Sequence, residues 1–361
     1  MPSRAVKDPT QEGERILTIC NACRYCEGYC AVFPALERRV SFTPADLNYL
    51  ANLCHNCGEC YYACQYAPPH EFSVNVPKTL ARIRARSYQR YAWPFAAAFG
   101  RNEIALLALA FGMAVWFFGG SRAVGADFYA VISHRSMVAV FGAAAIFVLV
   151  AWIAGVRRFW RESGERLADL ASLPALKSAF ADALTLKYLG GDGYGCTYPD
   201  ERRSRARWWF HHFTFYGFLL CFAATTVAAI YHYAFGWRAP YSYFSAPVVL
   251  GTLGGIGLLA GPAGLWWLKQ GRDAATQDAS QDGMDRVFLA LLFSASATGL
   301  LLLALRETRA MPALLAIHLA VILGLFVTLP YGKFVHAIYR LAALARFALE
   351  RSRERTAAPE N

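Results

Sequence analysis

Charge is scarce in this sequence. Only 17% of the 361 residues are Asp, Glu, Lys or Arg, while 56% are hydrophobic. That balance excludes a disordered chain and is apolar for a soluble protein. The charge that remains carries a sign, with a formal net of +11. It forms no single basic patch. The Lys and Arg residues border apolar runs, which argues against a nucleic-acid surface and for orientation in a membrane. Also missing are a Walker phosphate loop, a G-x-S-x-G elbow and a zincin motif, so nothing here is built for chemistry on an organic substrate. The opening MPSRAVKDPTQEGERIL has no apolar core and no cleavage site, so no secretory signal is expected.

Cysteine is rare as well, outside two short stretches. Eight of the ten cysteines fall in CNACRYCEGYC (Cys20–Cys30) and CHNCGECYYAC (Cys54–Cys64), both reading C-x2-C-x2-C-x3-C. A regular pattern of this kind on the reducing side of a membrane points to metal or redox work rather than disulfides. Three thiolates from one tight loop plus a fourth from elsewhere suit a [4Fe–4S] cluster, and paired motifs usually exchange their fourth cysteines. The expected ligand sets are Cys20, Cys23, Cys26 and Cys64 for one cluster, and Cys54, Cys57, Cys60 and Cys30 for the other. Structural zinc needs only two C-x2-C pairs per ion and leaves the rest of this rhythm unexplained. Ala31 and Gln65 stand where the common bacterial motif has proline after the fourth cysteine. Between the motifs, Thr43-Pro44 reads as a helix start, which favours a helical ferredoxin-like head. The remaining two cysteines read as a core residue of a span (Cys221) and a structural loop residue (Cys196).

From about residue 93 the chain turns apolar. Six runs are close to the ~20 residues that cross a bilayer as a helix: 102–120, 137–155, 210–233, 246–268, 287–305 and 312–331. Basic residues alternate between the connections. ARIRARSYQR, the 156–209 loop with its ten Lys and Arg, and the tail after 331 are rich in them, whereas the opposite loops hold one or two each. Head, long loop and tail should therefore all be cytoplasmic. The expected fold is all-α, with a helical two-cluster head (1–92), a six-span transmembrane domain (93–345) and a basic, polar tail (346–361). GTLGGIGLLAGPAG in the fourth run imitates a dinucleotide fingerprint but lacks its strand and its acidic residue. Close helix packing through small residues explains it better.

Ionisable residues in spans are usually functional. The third run begins with His211 and His212 and ends with His232, while His318 and His336 bracket the sixth. His318 and His336 are five turns apart on one face, separated by ~27 Å. His211 lies within ~60° of the face of His232, and His212 about 160° from it. In antiparallel helices, His211 or His212 can meet His336 at the inner side and His232 can meet His318 at the outer side. One or two bis-histidine haem b sites would account for these residues. His55, His70 and His134 read as ordinary polar residues, with His55 placed to hydrogen-bond near a cluster.

The doubled cysteine motif, the loop GGDGYGCTYPDERRSRARWWFHH and the spans together resemble the tricarballylate/citrate utilisation protein B (TcuB/CitB) family over nearly the whole chain. LPYGKFVH, with a histidine 18 residues upstream, also resembles the haem b gamma subunits of respiratory nitrate reductase. The first resemblance implies a multi-pass protein of the bacterial inner membrane with two [4Fe–4S] clusters and haem b. It implies an FAD-containing dehydrogenase of the tricarballylate type as partner, whose electrons pass to membrane quinone. The sequence also leaves open an integral-membrane oxidoreductase acting directly on a small substrate, and a transporter with a metal-binding head.

Overall fold

The computed structural model describes residues 8–101, 108, 112, 128–191 and 195–357. It is almost entirely helical. Its helices are α1 (Pro9–Cys23), α2 (Val32–Leu36), α3 (Pro44–Leu53), α4 (Glu59–Tyr62), α5 (Val76–Tyr91), α6 (Phe128–Val131), α7 (His134–Glu162), α8 (Leu173–Leu184), α9 (Ala206–Phe235), α10 (Ala246–Gln270), α11 (Asp282–Leu305), α12 (Met311–Thr328) and α13 (Val335–Ala357). Among the described residues the only strands are Cys196–Thr197 and Arg203–Ser204, paired antiparallel.

Local chemistry sets the head. Thr43 caps α3 with a reciprocal box, its hydroxyl accepting from Asp46 N while the Asp46 carboxylate accepts from Thr43 N, and Pro44 follows. Asn75 caps α5 in the same way, through Lys78 N. These helices bury Ile16, Leu17, Leu50 and Tyr88 in one core.

That core does not stop at the head. It takes in Phe159 and Trp160 from the end of α7, Ala175 and Ala179 from α8, and Val335 to Leu349 from α13. Residues 346–357, expected as part of a polar tail, are the second half of a helix packed on α3 and α8. Several of its charges are paired: Arg346 and the half-exposed Arg353 with Glu165, and Glu350 with Arg39. Head, long loop and C-terminal helix thus share one end of the molecule.

Five described helices are long and apolar enough to cross a membrane: residues His134–Glu162, Ala206–Phe235, Ala246–Gln270, Ala279–Leu305 and Met311–Thr328. The first expected span, 102–120, lies outside the described residues apart from Ala108 and Gly112. The first four of these turn large apolar side chains outward, with Ile146 65% exposed and Phe222 64% exposed. In water such a belt would aggregate, whereas in lipid it is the expected surface. Helices α9 and α10 form the closest pair. A Cβ on Gly254 would lie 2.8 Å from Cys221 N, and one on Gly261 would lie 2.4 Å from the Thr214 hydroxyl. The glycine-rich run therefore lets two backbones touch.

Candidate metal and electron-transfer site

The eight motif cysteines are all free and gather at one side of the head. α1 delivers Cys20 and Cys23 on its last turn, and Arg24 closes the helix in the left-handed region at φ 55°. Cys26 follows in the turn beyond. In the second motif Gly58 carries the reversal at φ +95°. A Cβ there would lie 3.1 Å from Thr197 O, so the position needs glycine for both conformation and space.

The thiols fall into two groups. Cys20, Cys23, Cys26 and Cys64 line a cavity of about 260 Å³, whose wall Cys60 also reaches. The Cys20 thiol is pushed up to about 12 by burial and then by Cys64, Cys26 and Cys23. Cys26 is likewise pushed up to about 12 by burial and then by Cys64 and Cys23. Cys30, Cys54, Cys57 and Cys60 line a smaller second cavity together with His55. Burial pushes Cys30 up, with Cys54 and Cys57 adding to it, and burial likewise raises Cys60 beside Cys57, Cys54 and Cys30. Each group therefore joins three cysteines of one motif to the last cysteine of the other. Crowded, buried thiols of this kind are held neutral until a bound cation displaces their protons to water. The donor set is thiol-only in each group and fits an iron–sulfur cluster.

Two further residues lie beside the second group: His55, expected to hydrogen-bond near a cluster, and Cys196, expected only as a structural loop residue. Cys196 lies beside Cys57, and the ligand atoms of His55, Cys57 and Cys196 all lie within 4.8 Å of one another. The Cys196 thiol also donates to Leu189 O at 3.2 Å, and its sulfur stands 3.8 Å from His55 Nε2. The hydrogen bond with Cys196 is the leading cause that raises Cys57 to about 12, ahead of burial. Burial pushes the His55 imidazole down. The available signal was the loop itself, since Gly195 at φ +87° turns Cys196 back toward the head.

The loop after α8 docks on the head beside these thiols. Arg203 pairs with Glu59 at 2.6 Å, and the Tyr62 hydroxyl donates to Asp273 at 2.9 Å. Gln281 Nε2 donates to Ala81 O at 2.9 Å. A lysine pair lies deeper. Lys269 and Lys333 each hold the Asp285 carboxylate at 2.8 Å, so Lys333 is neutralised rather than free to bind a ligand.

The histidines separate into an inner and an outer set. At the inner side, His211 and His336 lie with ring centroids 6.3 Å apart and ring planes at 81°. Nδ1 of His336 stands 2.7 Å from Lys333 O, which fixes that nitrogen as the donor and leaves Nε2 free for a metal. Nδ1 of His211 is buried without a partner. His212 is turned away, its Nδ1 2.9 Å from Trp208 O and its ring packed on Trp208 and Tyr216. This arrangement fits a bis-histidine haem, because two metal–nitrogen bonds of ~2 Å each plus the ring radii come to about 6 Å.

The outer side is arranged differently. His232 stacks on His134 with centroids 3.8 Å apart and planes 17° apart, too close for an iron between them. His318 hydrogen-bonds through Nδ1 to the Thr298 hydroxyl at 3.0 Å and lies against Gly299. No ring contact joins His232 and His318. Helix rotation has given His232 a partner that the sequence reading set aside. His70 lies apart from both sets, packed on Tyr66 and Phe72 in the head.

The family model described as citrate utilization protein B matches residues 95–357, and that of the citrate utilization protein B Fer4-like domain matches residues 13–90. Citrate utilization protein B of Escherichia coli is 50% identical over 372 aligned residues, covering 98% of this chain and 96% of that one. No solved structure matches this chain.

Proposed function

The chain belongs to the citrate utilization protein B family, and from that premise we propose that it is a membrane electron relay, which reoxidises a flavoprotein dehydrogenase of citrate or tricarballylate utilisation and delivers the electrons to the quinone pool. Cys20, Cys23, Cys26 and Cys64 would hold one [4Fe–4S] cluster, and Cys54, Cys57, Cys60 and Cys30 a second. His211 and His336 would hold haem b at the inner side. Such groups supply one-electron carriers whose potentials the protein tunes. The chain's own residues fix their spacing, exclude water and bury their charge.

The head, the 156–209 loop and α13 would face the cytoplasm of a bacterial inner membrane, where a flavoprotein can reach the first thiol group. On the outer side, His318 offers a free Nε2, while His232 would have to leave His134 to face it. The reading for that side is therefore His232 and His318 as ligands of a second haem b only if the stack opens.

The observation that carries this function is the placement of two four-thiol groups at the same end of the spans as the His211–His336 pair. The test is anaerobic mixing of the dithionite-reduced, purified full chain with a soluble ubiquinone analogue. Rapid reoxidation of haem and cluster absorbance is expected. A chain that stays reduced in excess quinone would overturn the relay to quinone.

A further inference from the structure

Three arginines from three helices converge on one short segment of the head. Arg84, on α5, donates to the carbonyls of Ala51 and Cys54. Arg340, on α13, donates to Leu53 O at 3.0 Å. Arg207, on α9, donates to His55 O at 2.8 Å and to Asn56 O at 3.1 Å. These carbonyls end α3 and carry the chain from Cys54 into Cys57.

Arg84 is buried, and Arg207 and Arg340 are half-buried. Among the described residues, none of the three has a carboxylate within ion-pair distance. Nearby arginines do: Arg39 pairs with Asp46 and Glu350, and Arg346 with Glu165 and Glu350. A guanidinium out of water without a counter-ion is costly, and carbonyl dipoles offset only part of that cost. Three around one loop call for an anion.

The second thiol group lies where that anion would be. Burial pushes Cys54 up, and Arg84 and Arg340 pull it back. Among the described residues no such cage surrounds the first group. After burial and the neighbouring thiols, the charge that acts on Cys26 is the Glu59 carboxylate. Its surroundings are also open, with Tyr25 68% exposed beside it.

We propose that Arg84, Arg207 and Arg340 are positioning residues that pin the Cys54–Cys57 loop and supply the counter-charge that gives the Cys30, Cys54, Cys57 and Cys60 group the higher reduction potential. This rests on the reading that both groups hold iron–sulfur clusters. A cluster gains one negative charge on reduction, so fixed cations favour its reduced form. Electrons then pass one at a time from the first group to the second, two from each reduced flavin, which releases its protons, and on to a quinone that takes up two electrons and two protons from water to become a quinol. The exit is marked by spacing. Arg207 stands four residues before His211 and Arg340 four residues after His336, so each shares a helix face with its histidine. The residues that grip the second group's loop thus flank the inner histidine pair.

The test is a potentiometric titration of the full chain in detergent, followed by electron paramagnetic resonance. The unaltered chain is expected to show two resolved cluster midpoints. Arg340→Gln should shift the higher one downward by at least tenfold in its equilibrium, 59 mV for a one-electron couple, and leave the lower one in place. Arg340→Lys should keep most of the original value. Arg84→Gln, on a separate helix, should act in the same direction and gives the answer if Arg340→Gln does not fold. In a Cys64→Ser background the cluster that remains should be the arginine-sensitive one. Equal shifts of both midpoints, no shift, or a shift confined to the cluster lost with Cys64 would overturn the charge assignment alone. Absence of any cluster signal in the unaltered chain would overturn the relay itself.

Discussion

His211 and His336 face each other with their ring planes at 81° and their centroids 6.3 Å apart. They come from helices that the sequence separates by more than a hundred residues, and they meet beside the cysteine-rich head. His212 is adjacent in sequence but packs on Trp208. His211→Ala and His336→Ala should each abolish the inner haem, seen as loss of its reduced-minus-oxidised absorbance, while His212→Ala should retain it. Loss of haem in His212→Ala with retention in His211→Ala would reverse the assignment.

The thiol groups make a separate prediction. Cys20→Ser and Cys64→Ser, from different motifs, should share one phenotype, and Cys30→Ser and Cys54→Ser should share the other. Each variant should lose roughly four of about eight irons, as expected when two [4Fe–4S] sites exchange their fourth ligands. Iron and acid-labile sulfide assays on the purified variants check this. A Cys64→Ser variant that behaves like Cys54→Ser would refute the exchange.

Cys196 sits beside Cys57 without belonging to either four-thiol group. Cys196→Ala should therefore keep the full iron content. The Cys196 thiol proton goes to Leu189 O rather than to a ligand sulfur, so iron and acid-labile sulfide per chain are the readout. Loss of half of the iron in Cys196→Ala would make it a ligand instead.

The head is tied to α13 through Glu350. Its carboxylate pairs with Arg39 at 2.5 Å and accepts from the Tyr49 hydroxyl at 3.0 Å. Glu350→Ala takes one of two carboxylates from the buried Arg39, which keeps Asp46, and leaves the Tyr49 hydroxyl without its acceptor. It should destabilise the chain by about 1.5–3 kcal/mol, read as a lower melting temperature by circular dichroism.

The same junction predicts acid sensitivity. Burial raises the Asp46 carboxyl, but hydrogen bonds from Thr43 and Arg39 outweigh it and hold the group below its ordinary 3.8. A folded value below the unfolded one means that the stabilisation is complete above pH 3.8 and is lost as pH falls through the folded value. Asp46→Asn should remove that part of the pH dependence. An unchanged acid-unfolding profile would count against it.

Much of this was legible in the sequence, because the informative patterns are local. The cysteine grid, the capped helix at Thr43 and the apolar runs are spacings along one chain. The inner histidine pair followed from helical periodicity, and the arginines four residues from each histidine were visible by the same rule. Rotation about a helix axis was not legible. It depends on neighbours, and it placed His232 against His134. The α13 helix was also hidden, because Arg346, Arg351 and Arg353 read as solvated charge. Their partners Glu165, Asp182 and Glu350 come partly from the 156–209 loop, and only the fold brings them together.

The central claim is that one membrane chain carries iron–sulfur clusters and haem together. Its most direct test is a reduced-minus-oxidised optical spectrum of the purified full chain, with iron and acid-labile sulfide assayed on the same sample. The account predicts sharp haem b bands together with about eight non-haem irons. Zinc in place of iron, or clusters with no haem band, would contradict it.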